Sequence, residues 1–187
     1  DNMSGDSEQE YFSDGITEDI ITALSHLRWL NVIARNSSFT YKGQSPDIRQ
    51  VADELNCRYV LEGSIRKAGN RVRINAQLLE GLSGNHIWAE KYDRELEDIF
   101  DLQDEITEAV LGAIEPSLVL AEIERAKRKH PENMDAYDLF LQGLPGLYTF
   151  DIEKNTTSLD LLHRAIDIDP TYPQALAYAA WGYEQRL

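Results

Sequence analysis

One cysteine, Cys57, stands in 187 residues. A lone cysteine closes no intramolecular disulfide and builds no cysteine metal cluster, so the chain relies on its core to stay folded. Cys57 lies beside an apolar strand pattern and reads as a small buried residue. Its solitude suits the cytoplasm and equally a periplasmic domain without bridges, so the compartment stays open. Basic residues are scarce too: 18 Lys+Arg against 33 Asp+Glu, a formal net charge of −15. That balance repels phosphate backbones and anionic headgroups, which argues against nucleic acid as a partner of this segment. No apolar run reaches the roughly 18 residues of a membrane span, and the opening residues have no signal-peptide pattern. No membrane insertion by this segment is expected.

Catalytic signatures are missing as well. No Gly-x-Ser-x-Gly elbow occurs, and Gly63, Gly69, Gly81 and Gly84 fall in strands and turns rather than in a phosphate-cradling loop. The histidines His26, His86, His130 and His163 are not at metal-ligand spacing. Glu97, Asp98, Asp101, Asp104 and Glu105 form an acidic cluster without the glycine turn of a calcium loop; Asp98 or Asp101 capping a helix accounts for it better. No catalytic residue, metal ligand or cofactor is expected.

What is present is a foldable composition, 42% hydrophobic and 27% charged. Ile16, Ile20, Leu24 and Leu27 share one face of a helix expected from about Asp14, with Ser13 or Asp14 as its cap. Leu30 to Ala34 is an apolar run of strand length, followed by a polar turn, Arg35-Asn36-Ser37-Ser38. Ser45 and Pro46 open a second helix that buries Ile48, Val51, Ala52 and Leu55 and stops near Asn56. Tyr59, Leu61, Gly63 and Ile65 then alternate with Val60, Glu62, Ser64 and Arg66. After the Ala68-Gly69-Asn70 turn, Val72, Ile74, Ala76 and Leu78 alternate with polar neighbours. A further turn at Ser83-Gly84-Asn85 leads to a strand around His86 to Tyr92, completing an antiparallel meander.

From Asp101 the pattern is helical, with a break or kink expected at Pro116 and a stop at Pro131. A domain boundary is placed at about residue 130. In the last segment Leu159, Leu162, Ala165 and Ile166, then Asp169-Pro170, then Leu176, Ala179, Ala180 and Tyr183 follow the cadence of a tetratricopeptide repeat. Leu139 and Gly143 suit the first helix of the preceding unit, which Pro145 and Gly146 are expected to interrupt.

Ser4-Gly5-Asp6 through Tyr11-Phe12-Ser13-Asp14-Gly15, Asn31 to Ser38, Tyr59-Val60-Leu61-Glu62-Gly63-Ser64, Arg71-Val72-Arg73-Ile74 and Trp88-Ala89-Glu90 together resemble the TolB-like amino-terminal domain. Bacterial proteins carry such domains downstream of class III adenylate or guanylate cyclase domains, or of winged-helix transcriptional regulators, with tetratricopeptide repeats following. The resemblance implies a mixed five-stranded sheet covered by helices, whose first strand lies ahead of the Ser-Gly-Asp loop and so ahead of Asp1. It also implies a role in sensing or protein interaction, coupled to an output domain in cis.

The expected fold class is therefore α/β, with a mixed sheet, two helices and a three-stranded antiparallel meander over residues 1–130. An all-α tetratricopeptide-like segment follows over 131–187. Two sites are singled out. Arg66, Lys67, Arg71 and Arg73 concentrate positive charge on the hairpin of an acidic chain, which suits an anion or acidic partner; a solvated face, or pairing with carboxylates such as Glu62 and Glu90, is the other explanation. Arg35, Asn36, Ser37 and Ser38 follow a strand expected to be parallel to a neighbour, at whose carboxyl end α/β sheets bind ligands; Ser and Asn bonding their own backbone is the other explanation. Trp29, Trp88 and Trp181 are assigned to packing. The functional expectation is a non-catalytic sensory or docking region of a cyclase-bearing protein, its repeats binding a protein or peptide. The alternative is the small-molecule-sensing domain of a winged-helix regulator.

Overall fold

The structure is a computed structural model that describes residues 1–5, 10–95, 98–128, 134–149 and 151–186. It divides into two compact units, Asp1–Ser117 and Leu118–Leu187.

In the first unit, helix α1 (Glu10–Ser25) buries Phe12, Ser13, Ile16 and Leu24. Ser13 lies inside the helix, where its carbonyl accepts the Thr17 hydroxyl at 2.8 Å, so it is not the cap. Helix α2 (Arg35–Ser38) is one turn long and runs into a 3-10 turn at Phe39–Tyr41. Helix α3 (Ile48–Glu54) is capped by Asp47, whose carboxylate accepts the Arg49 N–H at 2.9 Å, in place of the expected Ser45–Pro46 start. Asn56 takes a positive φ of 48° just past the helix end, the left-handed conformation that commonly follows a helix.

Strands β1 (Tyr59–Ala68), β2 (Arg71–Glu80) and β3 (His86–Glu95) form a three-stranded antiparallel sheet in sequence order. The two-residue turn Gly69–Asn70 sets the register so that Ile65, Ile74 and Tyr92 stand side by side. The alternation of β2 is the one expected: Val72, Ile74, Ala76 and Leu78 are buried. Along the outer edge of β1 the chain runs parallel at Asn2, with Met3 N–H on the Ile65 carbonyl at 2.7 Å and Ile65 N–H on the Asp1 carbonyl at 2.8 Å.

Leu30–Ala34 forms no strand. An apolar run of strand length needs a neighbour to complete its ladder, and none pairs with it among the described residues. The regular sheet is thus antiparallel throughout, with the Asn2 bridge its one parallel feature among the described residues.

Helix α4 (Ile99–Lys127) begins at Asp98, whose carboxylate accepts the N–H groups of Phe100 at 2.8 Å and Asp101 at 3.2 Å. That is the capping role expected of the acidic cluster; Glu97 lies outside the described residues. The helix runs through Pro116 instead of ending there. Its stripe Leu102, Ile106, Val110 and Ile114 is buried, as are Val51 and Ala52 of α3. These residues, with α1 and the inner sheet face, supply the apolar core of the first unit.

The second unit holds helices α5 (Ala136–Leu147), α6 (Ile152–Ile168) and α7 (Pro173–Glu184). Asp135 and Asp138 form a reciprocal capping box at the start of α5. Leu139, Phe140, Leu144, Leu147, Leu159, Leu162, Ala165, Ala175 and Ala179 make one apolar cluster with Ile123 and Ala126. Pro145 and Gly146 do not interrupt α5. Gly146 is needed for close approach: a Cβ there would fall 2.2 Å from Ser158 Oγ and 2.7 Å from the Lys154 carbonyl oxygen of α6. Asn155, buried on α6, donates to the Gly182 carbonyl at 3.1 Å and accepts from Arg186 Nε at 2.7 Å, tying α7 down.

Candidate functional site: the polar face of the sheet

Strand alternation puts the polar residues of the hairpin on one face. Arg66, Arg73 and Asp93 form one row across β1, β2 and β3; Ser64, Asn75 and Lys91 form the next. Arg71 lies two residues from Arg73 along β2 and so shares its face. The sequence-derived trio Arg66, Arg71 and Arg73 is thereby brought together.

Asp93 organises the trio. Arg73 donates to its Oδ2 from Nη2 at 2.7 Å and from Nε at 3.0 Å, while Arg71 Nε reaches Oδ1 at 3.1 Å. The Arg73 hydrogen bond, aided by the charges of both arginines, holds the Asp93 carboxyl below the usual carboxylate range against some loss of hydration. The partner is Asp93 and not Glu62 or Glu90. Glu62 receives the Gln77 amide. Glu90 stands opposite Ala76, on the other face, near the Tyr92 hydroxyl at 3.2 Å. Arg66 is exposed, sits opposite Arg73 and has no ion pair among the described residues. Arg66, Arg71, Arg73 and Lys91 share this face with Asp93, with Glu95 opposite Arg71 and with Glu62, which leaves a small local positive excess on a chain of net charge −15. Such a patch attracts carboxylate or phosphate groups, and arginine forks bind them in two-point fashion.

The second expected site has a different setting. Without a strand at Leu30–Ala34, Arg35 to Ser38 do not sit at a strand end. Arg35 stands 4.0 Å over the Phe39 ring and 3.5 Å from the Glu18 carboxylate. The Ser38 hydroxyl donates to the Arg35 carbonyl at 3.0 Å, and Thr40 Oγ1 to the Ser37 carbonyl at 2.7 Å. Ser37 and Asn36 are exposed. The sequence residues therefore form a helical turn bonded largely to itself.

Other reactive groups are dispersed. Cys57 is half-buried, and burial pushes its thiol pKa up, toward the protonated form. His26, His86 and His163 are exposed, with His163 Nε2 at 3.0 Å from the Tyr183 hydroxyl; His130 lies outside the described residues. Among the described residues no group of His, Cys, Asp or Glu side chains is placed to hold a metal ion. Among them, too, no helix is long and apolar enough to cross a membrane.

The second unit carries an aromatic chain that includes Trp181, a residue expected to serve packing. Phe140 meets Tyr172 and Tyr178 edge-on at 5.4 and 5.5 Å, and Trp181 lies against Tyr178 at 6.0 Å and Tyr148 at 5.3 Å. Tyr148 and Tyr183 remain about half exposed.

Similarity to known proteins points in one direction. The chain is 53% identical over 170 residues to a Rhizobium meliloti (strain 1021) protein named "Putative adenylate cyclase 3". The match takes in 91% of this chain but only 29% of that protein. The chain thus corresponds to a minor part of a larger, cyclase-named protein. No family model matches it. Among solved structures, lipoprotein GNA1162 from Neisseria meningitidis is similar at a TM-score of 0.44 and 16% identity, over 60% of this chain and 91% of that one. A likeness of that depth carries no argument.

Proposed function

We propose that this chain is the non-catalytic sensory and protein-interaction region of a multidomain bacterial signalling protein whose output domain, in cis, is an adenylate or guanylate cyclase. The supporting observation is the 53% identity to part of a cyclase-named protein that is more than three times as long as the matched segment. In this reading residues 1–130 are a TolB-like domain and 131–187 begin a tetratricopeptide-like array.

Each unit has a surface for the role. The Arg66–Arg71–Arg73 face offers charge to an acidic partner, which long-range attraction would steer into place. The helical unit offers stacked helices with aromatic side chains, the kind of surface on which repeat proteins dock peptides.

The test uses the Rhizobium protein and this chain together. The isolated chain, given ATP and manganese, forms no cyclic AMP. The Rhizobium protein lacking its matching segment still forms cyclic AMP but at an altered rate, and inserting this chain in place of the segment restores the original rate. Cyclic AMP formation by the isolated chain, or an unaltered rate after deletion, would overturn the reading. Arg71→Glu with Arg73→Glu in the inserted chain should abolish the restoration if the sheet face makes the contact.

A further inference from the structure

Gln103 on α4 is 8% exposed, yet its side-chain amide makes no hydrogen bond among the described residues. Gly15 on α1 makes the space: a Cβ at that position would lie 2.2 Å from Gln103 Nε2. The amide borders a cleft of about 370 Å³ between α1 and α4, within the range of small-molecule sites.

The walls of this cleft share one electrostatic character. Tyr11 and Phe100 line it and are 63% and 72% exposed, so both rings offer surface to an occupant. Asp19 and Asp104 line it too, and among the described residues no Lys, Arg or His does. Burial, reinforced by the charges of Asp104 and Glu18, raises the Asp19 carboxyl above its ordinary pKa, as expected where negative charge lacks a counter-charge. Aromatic faces and carboxylates both favour a cation with N–H donors. A divalent metal fits poorly, since calcium or magnesium needs six or more oxygens and gains nothing from two rings.

We propose that the α1–α4 cleft binds a small organic cation, an ammonium or guanidinium on an apolar body. The body sits between Tyr11 and Phe100, and the N–H groups reach Asp19, Asp104 and the Gln103 amide oxygen. The site gives the sensory region a ligand class, and it stands independently of the output domain proposed above.

Calorimetric titration of the 187-residue chain with phenethylamine and with agmatine tests it, with 2-phenylethanol as the uncharged counterpart. At least one amine should bind with one-to-one stoichiometry while 2-phenylethanol does not. Asp104→Asn and Phe100→Ala, both at exposed positions, should each weaken binding by about tenfold, or 1.4 kcal/mol. Gly15→Ala should weaken it by displacing Gln103, and the distant surface change Glu124→Gln should leave it unaltered. The assignment falls if neither amine binds, if the alcohol binds as well as the amine, or if Glu124→Gln weakens binding as much as Asp104→Asn. It falls equally if only a lysine- or arginine-bearing peptide binds and the free amines do not.

Discussion

Arg73 and Asp93 face each other directly across β2 and β3, joined by two hydrogen bonds of 2.7 and 3.0 Å to one carboxylate oxygen. The pair lowers the pKa of the Asp93 carboxyl in the folded state. A group whose folded pKa is depressed stabilises fully above its unfolded pKa and loses that contribution as pH falls through the folded value. Asp93→Asn should therefore lower the urea midpoint at about pH 7 and leave it near the wild-type value at about pH 2. An equal loss at both pH values would place the effect in packing rather than in charge.

That same pair shows where sequence legibility ends. The alternation Val72, Ile74, Ala76, Leu78 reveals the inner face of β2, and hence that Arg71 and Arg73 point outward, because strand side chains repeat every two residues. Which carboxylate meets them depends on the register of β3, and that includes an irregularity between Leu78 and Leu79. Glu90 and Asp93 differ by three positions, so they fall on opposite faces, and a short-range reading chose the wrong one. Leu30–Ala34 failed for the converse reason: its composition suits a strand, but a strand exists only with a partner. The α1–α4 cleft was invisible because its members come from segments some 80 positions apart, and a helical glycine such as Gly15 carries no signal of what packs on it.

Arg125 supplies the counter-charge to two buried acids. Its guanidinium lies 2.8 Å from the Glu122 carboxylate and 3.3 Å from that of Asp138, whose side chains are 2% and 0% exposed. Removing the arginine from a buried ion network weakens the compensation of both acids, and breaking such a pair costs about 3–5 kcal/mol. Arg125→Met should destabilise the second unit by that amount in urea denaturation. Adding Glu122→Gln and Asp138→Asn to the same chain should recover part of the loss, since neutral amides are cheaper to bury. No recovery would mean that the arginine stem, not its charge, does the stabilising.

Two helical glycines should respond in opposite directions to alanine. Alanine gains about 1 kcal/mol of helix propensity over glycine. At Gly112 an added Cβ meets nothing within 4 Å, so Gly112→Ala should be stabilising by up to that amount. At Gly146 the methyl would meet Ser158 Oγ at 2.2 Å and the Lys154 carbonyl oxygen at 2.7 Å. The serine can rotate away but the α6 backbone cannot, and overpacking of this kind costs about 1–3 kcal/mol. Gly146→Ala should therefore lower the thermal midpoint although it removes a glycine from a helix. A rise in the midpoint would show that α5 and α6 can separate without loss.

Pro116 lies inside α4, where the sequence pattern alone called for a break or a kink. Its ring removes the N–H that would bond the Gly112 carbonyl, and proline in a helix interior costs about 3 kcal/mol relative to alanine. The flanking stripe outweighs that cost: Ile106, Val110, Ile114 and Leu118 are each 2% exposed or less, and burying one such side chain contributes about 1.5–3 kcal/mol. The helix continues because burial on both sides of the proline exceeds the local penalty. Pro116→Ala should then stabilise the chain by about 2 kcal/mol, the propensity gain less the roughly 0.4–1 kcal/mol by which proline restricts the unfolded chain. Thermal denaturation of the variant decides it: a higher midpoint supports a proline tolerated by packing, and a lower one means that the chain depends on the bend the proline imposes.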